Sequence, residues 1–386
     1  MTFEYADRIK RLPPYLFAEI ERLIKEKKAH DVDLISLSIG DPDLPPPPFI
    51  IEAFKQEVTD SKNHNYSFSQ GEPDFRAAVA GWYKKRFNVD LEQDQVVALL
   101  GSKEGIANIA RAFINSGDRV LVPDPAYPVY ANGSTILCDG TVVPMPLLEE
   151  NNFEPDLEAI DARRVKMMFL NYPNNPTAAT VDKKSLKKAV DFAKENNVIL
   201  CYDNAYSEVT YEGYHAPSIL EVDGAMDVAV EFHSLSKTFN MTGDRIAFAV
   251  GNKQLVGGLA KVKSQIDSGP PVYTQKVAVK ALAAYTGKEA PEFLQKNNAI
   301  LQERRDLLVE TLCSIGYKCV KPKATFYVWV NCKGDSMKFA TKLLDAGVAV
   351  TPGVGFGSCG EGYVRMTFTQ PKERIIEACC RISGAF

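Results

Sequence analysis

The sequence predicts an α/β protein: a mostly parallel sheet with helices on both faces, joined to a smaller α+β domain. Three observations carry this. Short β-rich runs, almost continuously apolar, recur at 95–100, 119–122, 165–170, 198–202, 228–232 and 246–250. Amphipathic helical patterns, such as 103–114 and 184–195, stand between them. Strands without a polar face, alternating with helices, belong to a sheet buried on both sides. Near residue 290 the texture changes. A long charged helical pattern over 294–311 leads to a run at 325–330, a further helix, and runs at 348–351 and 363–369.

The 386 residues suit two domains at roughly 150 residues each. Pro45-Pro46-Pro47-Pro48, preceded by Gly40-Asp41-Pro42, reads as a rigid connector, because proline fixes φ. The expected division is a large domain over 46–285, with 1–45 and 286–386 forming the small one. Apolar residues make up 45% and charged residues 24%, as in a globular protein with a sizeable core. With 45 basic and 49 acidic side chains the net charge is −4, which gives no electrostatic reason to seek nucleic acid or anionic lipid. No apolar run reaches the roughly 18 residues of a membrane span. The start, Met1-Thr2-Phe3-Glu4-Tyr5-Ala6-Asp7, has no basic segment followed by an apolar one, so a cytoplasmic location is expected. Eight cysteines without a C-x-x-C pair and four scattered histidines give no metal site.

Open α/β sheets bind ligands beyond the carboxyl ends of their strands. The first five runs are followed there by groups capable of chemistry. They are Gly101-Ser102-Lys103, Pro125-Ala126-Tyr127, Asn171-Tyr172-Pro173-Asn174-Asn175, Asp203-Asn204-Ala205-Tyr206, and Ser234-Leu235-Ser236-Lys237. Ser102 and Lys103 at a helix start suit an anion, phosphate best, although Ser102 would also serve as a plain N-cap. Lys237 just past a buried strand is open to desolvation, which lowers an amine's pKa and makes it a nucleophile for carbonyls; alone it would read as a surface lysine. Arg245 could neutralise the same phosphate with Ser234 and Ser236. Asp203 at a buried strand end needs a cationic partner, which a protonated pyridine nitrogen supplies. Tyr127 suits stacking on a ring, and Tyr206 and Asn175 suit hydrogen bonds to a ring oxygen; each tyrosine alone would read as core. A phosphate, a cationic ring nitrogen, a ring oxygen, an aromatic face and an aldehyde for a lysine together specify pyridoxal phosphate.

On these residues the chain resembles the class I/II aminotransferases of fold type I over essentially its whole length. Asn174-Asn175-Pro176-Thr177 is similar to the family's N-P-T-G signature, with Ala178 in place of the usual glycine. Ser234-Leu235-Ser236-Lys237-Thr238-Phe239-Asn240-Met241-Thr242-Gly243-Asp244-Arg245 is similar to its lysine motif. The resemblance implies a large domain with a mostly parallel seven-stranded sheet and a smaller α+β domain. It implies that Lys237 condenses with the cofactor aldehyde and that Asp203 pairs with the ring nitrogen. Tyr127 then stacks on the ring, Asn175 and Tyr206 bind its oxygen, and Ser102, Ser234, Ser236 and Arg245 bind phosphate, with Lys103 in the same loop. Tyr66 is similar to the family tyrosine that reaches the neighbouring subunit's phosphate, which implies a homodimer with shared sites. Arg365 is similar to the arginine that grips the substrate carboxylate, and Gly40 lies in the segment that covers the substrate. Within the family the chain is most similar to the LL-diaminopimelate aminotransferase group, where Tyr15 matches a substrate-contacting tyrosine. Gly269-Pro270-Pro271 departs from that group in a segment expected to approach the partner subunit.

The reaction implied is a ping-pong transamination between an amino acid and a 2-oxo acid. The LL-diaminopimelate/2-oxoglutarate pair is one reading; a broad, alanine/aspartate or aromatic transaminase, or a β-lyase, is the other. Unrelated chemistries fit less well. Ser234-x-x-Lys237 has the S-x-x-K spacing of a serine acyl-enzyme, but no Lys-Thr-Gly follows it. Gly355-Phe356-Gly357-Ser358-Cys359-Gly360 matches G-x-G-x-x-G, but a strand pattern follows where a dinucleotide site needs a helix.

Overall fold

The computed structural model describes residues 3–14, 22, 24, 25 and 33–386. Its centre is a seven-stranded sheet of β2 (Val96–Leu99), β3 (Arg119–Asp124), β4 (Thr141–Pro146), β5 (Val165–Asn171), β6 (Ile199–Asp203), β7 (Ala229–Ser234) and β8 (Ala247–Gly251). The order across the sheet is β2-β8-β7-β6-β5-β3-β4, and only β8 runs against its neighbours.

Alternate residues of these strands feed two cores, as the period of two requires. On one face Val120, Val122, Met167 and Phe169 pack with Ile106 and Ile109 of the helix Ser102–Phe113 and Leu259 of Lys253–Lys263. On the other, Leu121, Met168, Leu170 and Leu200 pack with Phe75 and Trp82 of Pro73–Phe87, Leu186 and Val190 of Lys183–Glu195, and Val277 of Val272–Ala283.

A second sheet, ordered β12-β13-β10-β9, is antiparallel and comprises β9 (Lys318–Cys319), β10 (Tyr327–Asn331), β12 (Thr351–Pro352) and β13 (Tyr363–Thr367). Its core includes residues of the helices Glu292–Ser314 and Lys372–Ala385. The segment before the proline run joins these elements: β1 (Ile35–Ser36) pairs in parallel with β11 (Val348–Ala349).

The fold differs from the sequence expectation at several strands; the short β1 and β9 were not expected. β4 was not expected; it is a partly exposed edge strand carrying Pro144 and Pro146, and proline is tolerated only where a ladder bond is not required. The run expected over 348–351 divides at Val350. β11 goes to the N-terminal strand, and β12 pairs with β13 through Thr351↔Arg365. Gly355–Gly360 forms short 3-10 turns rather than a helix entry, followed by β13. Among the described residues, no helix is long and apolar enough to cross a membrane.

Candidate active site

The carboxyl ends of β2, β3, β5, β6 and β7 lie on one edge of the sheet, because β2 and β7 are both antiparallel to β8. Register aligns the polar exits: Asn171 pairs with Asp203, and Asp203 with Phe232. A cavity of about 340 Å³ opens at this edge. The exits of these strands, the turn leading into β8, the strap at Gly40, and β10 and β13 of the second sheet all reach its wall.

Asp203 ends β6 and is buried. Its Oδ2 accepts from the Tyr130 hydroxyl at 2.7 Å, while Oδ1 makes no hydrogen bond of normal geometry among the described residues. Desolvation pushes the carboxyl up to about 6; the Tyr130 hydroxyl and, after it, the Ala205 amide oppose this. Lys237 sits in the one-turn helix Leu235–Thr238 that follows β7. Its Nζ donates to the Gly40 carbonyl at 3.0 Å. Burial lowers this amine to about 8; Asp41 opposes the shift, and the charges of Arg245 and Arg365 add to it.

Ser102 and Lys103 open the helix Ser102–Phe113, and Ser234 caps the helix Leu235–Thr238 by accepting from the Ser236 amide at 3.1 Å. Arg245 closes the same corner, donating to the carbonyls of Thr242 at 2.8 Å and Leu100 at 2.9 Å. Gly101 at φ +103° lets the guanidinium approach, since a Cβ there would lie 2.3 Å from Arg245 Nη2. Hydroxyls, a helix start and a guanidinium at one corner make an anion site. Tyr127 presents its ring to the cavity, with Lys103 Nζ 5.8 Å from the ring centroid.

Asn175 is fixed by the sheet edge. Its amide donates to Asn171 Oδ1 at 2.8 Å, and Asn171 Nδ2 donates to the Asp203 carbonyl at 2.8 Å. Ala178 adopts φ +58°, so it keeps the left-handed conformation that glycine takes most easily. Arg365 on β13 is buried; it donates to Asn175 Oδ1 at 2.7 Å and to the Ser38 carbonyl at 2.6 Å. Its guanidinium lies 4.3 Å from the centroid of Tyr327. The planar fork suits a carboxylate.

The cavity therefore gathers Gly40, Ser102, Lys103, Tyr127, Asn175, Asp203, Tyr206, Ser234, Ser236, Lys237, Arg245 and Arg365. Tyr66 is not part of its wall: it projects from the surface, 92% exposed. Tyr15 lies outside the described residues. Sequence reasoning missed Tyr130, Tyr327 and a role for Asn171. The signal for Tyr130 was its spacing of three from Tyr127; Asn171 opens the quoted Asn-Tyr-Pro stretch; Tyr327 lay hidden in an apolar strand.

The donor set fits pyridoxal phosphate. A buried carboxylate oxygen lacking a donor on the cavity wall calls for a cation such as the protonated ring nitrogen, and the opposite corner collects anion-binding groups.

Comparison with known proteins agrees with this geometry. The family model for aminotransferase class I and II matches residues 32–382. The LL-diaminopimelate aminotransferase of Desulforudis audaxviator is 50% identical, covering 100% of this chain and 98% of its own. That of Aquifex aeolicus is 49% identical, covering 99% of each. Among solved structures, substrate-bound BacF from Bacillus subtilis superposes with a TM-score of 0.93 at 36% identity, covering 100% of this chain and 98% of its own. An aspartate aminotransferase mutant from Thermus thermophilus gives 0.92 at 29%, covering 100% of both. The fold is fold type I, and the chain belongs to the class I and II aminotransferases, enzymes that depend on pyridoxal phosphate.

Proposed function

We propose that the enzyme transfers the amino group of LL-diaminopimelate to 2-oxoglutarate. The near-full-length similarity to LL-diaminopimelate aminotransferases supports this pair. The observation that carries the site assignment is the meeting of Lys237, Asp203 and Arg365 around one cavity. In this reading Lys237 holds the cofactor covalently and Asp203 keeps its ring nitrogen protonated. Tyr127 covers the ring face, and Asn175 and Tyr206 bind the ring oxygen. Ser102, Ser234, Ser236 and Arg245 hold the phosphate, Lys103 lies beside it, and Tyr66 reaches the phosphate of a second subunit. Arg365 grips the substrate α-carboxylate, with Gly40 and Tyr15 on the substrate side. The division into 46–285 and 1–45 plus 286–386, a cytoplasmic location and a homodimer belong to the same proposal.

The bound cofactor supplies an electron sink for the carbon that loses its proton. The chain supplies the rest. Arg365 fixes the carboxylate, so that the α-carbon has one orientation toward Lys237. Freed by the incoming amino group, Lys237 Nζ takes the α-proton and later returns it, as general base and then acid. An amine brought down to about 8 is partly neutral near neutral pH, as a base must be. Asp203, buried away from water, holds its proton partner through both half-reactions. The second substrate, a 2-oxo acid, uses Arg365 in the same way.

A spectrophotometric screen tests this. Adding amino acids one at a time to the loaded enzyme should convert its visible band for LL-diaminopimelate and glutamate, with alanine and aromatic amino acids much slower. Conversion by an aromatic amino acid, with none by LL-diaminopimelate, would reject the substrate assignment. Lys237→Ala should lose the visible band and at least about a thousandfold in turnover, since it removes the covalent anchor and the base together. Retained turnover would reject the site.

A further inference from the structure

Tyr327 touches three parts of the site that come from different regions of the chain. It begins β10 and is buried, yet its side chain reaches the cavity wall. Its hydroxyl lies 3.0 Å from that of Tyr206, at the β6 exit. Its ring carries the Arg365 guanidinium at 4.3 Å from the centroid. It also meets the strap: a Cβ built on Gly40 would lie 2.1 Å from Tyr327 Oη. The Gly40 carbonyl in turn accepts from Lys237 Nζ at 3.0 Å.

A residue serving only as core filling would present carbon to these neighbours. Tyr327 presents a hydroxyl to a hydroxyl and a ring face to a cation. Either tyrosine can donate in the pair. Once Tyr206 donates elsewhere, its oxygen is left to accept, and Tyr327 becomes the donor. A donor that is itself hydrogen-bonded donates more strongly. The ring beneath Arg365 helps to hold the plane of its fork through a cation–π contact that burial strengthens, together with the Phe356 ring at 4.8 Å and the hydrogen bonds to Asn175 and Ser38.

We propose that Tyr327 is a positioning residue that sets the Tyr206 hydroxyl toward the cofactor's ring oxygen and the Arg365 guanidinium toward the substrate carboxylate. This rests on the roles given above to Tyr206 and Arg365. The hydroxyl serves the first role and the ring the second, so two substitutions separate them.

Tyr327→Phe keeps the ring and removes the hydroxyl. In a pH titration of the loaded enzyme's visible spectrum, the midpoint should rise by up to about half a pH unit, because Tyr206 keeps its bond to the ring oxygen but loses the donor that strengthens it. Binding of succinate, an unreactive carboxylate, should stay within about twofold of wild type, because the cation–π contact remains. Tyr327→Leu should raise the midpoint similarly and also weaken succinate about 3- to 30-fold, the range of a lost cation–π contact. A purely structural role would lower the thermal midpoint and leave the spectral midpoint in place. If Tyr327→Phe titrates as wild type, the inference is overturned, whatever Tyr327→Leu does. If the wild-type band is absent or survives Lys237→Ala, the site assignment fails, and this inference falls with it. If the band behaves as expected but the Tyr327 variants do not, only the inference fails.

Discussion

Burial moves the two central ionisable groups in opposite directions, because it disfavours the charged form of each. Desolvation raises Asp203 from 3.8 to about 6 and lowers Lys237 from 10.5 to about 8. The signs of the stability contributions follow. Asp203 binds its proton more tightly folded than unfolded, so its contribution is full below about 3.8 and is lost as pH rises through about 6. Lys237 binds its proton less tightly folded, so its contribution is full above about 10.5 and is lost as pH falls through about 8. Between those values the cofactor-free chain bears both costs, each on the order of 3 kcal/mol. Asp203→Asn should therefore stabilise the cofactor-free protein by about that amount at pH 7 and leave it unchanged near pH 3. Urea unfolding at the two pH values measures this; an equal effect at both would show that the carboxyl's titration is not the cause. The same chemistry explains what could be read beforehand. Asp203 and Lys237 could be singled out because five strands end in groups capable of chemistry at one sheet edge; Lys237 alone reads as a surface lysine. Tyr130, which donates to Asp203, and Tyr327 could not be, because a buried tyrosine hydroxyl needs some partner wherever it lies, and the sequence does not show that these partners are groups of the site.

Between elements, the exit of β6 is held by a buried ion pair. Arg86, in the last turn of Pro73–Phe87, donates from Nε to both oxygens of Glu208 at 3.1 and 3.2 Å, and the Tyr285 hydroxyl donates to the same carboxylate at 2.7 Å. Glu208 lies two residues beyond Tyr206, so the pair anchors the loop that carries Asp203 and Tyr206. Both partners are buried, so removing one strands the other's charge in a medium that solvates it poorly. Arg86→Met should cost about 3–5 kcal/mol in urea unfolding, and adding Glu208→Gln should recover part of it. A single-variant loss under about 1 kcal/mol would mean that water or a rearranged neighbour satisfies Glu208. Nothing in the sequence announces this pair: Arg86 stands in a helix turn with two lysines, and its partner is 122 residues away. Strands buried on both faces were legible as apolar runs, whereas β4 was not, because an edge strand has no such uniform face.

At the scale of the whole molecule, a set of apolar side chains is left open to solvent in the single chain. Tyr66 is 92% exposed and Phe68 61%, and their loop is tied to the Gly269 segment by the Ser67 hydroxyl, which donates to the Ser268 carbonyl at 2.6 Å. Gly269, at φ +81°, lies so close that a Cβ would be 2.6 Å from the Phe68 carbonyl oxygen. Ile266 in this segment and Phe49, Ile51 and Val58 of the helix Pro48–Thr59 are also exposed. Where such residues form a contiguous patch they mark an interaction surface, and the Tyr66–Phe68 and Gly269 loops are in contact. The departure at Gly269-Pro270-Pro271 falls within the same packed pair of loops. If two copies meet here and each lends Tyr66 to the other's phosphate corner, sedimentation should give twice the chain mass. Inactive variants should also complement one another. Lys237→Ala and Tyr66→Ala chains, refolded together one to one, would form hybrids in which one site carries both lesions and the other carries neither. With random pairing, about a quarter of wild-type activity should return, because half the dimers are hybrid and half their sites intact. A mixture no more active than the average of the two variants alone would mean that each site is built from one chain, and Tyr66 would have no part in the chemistry.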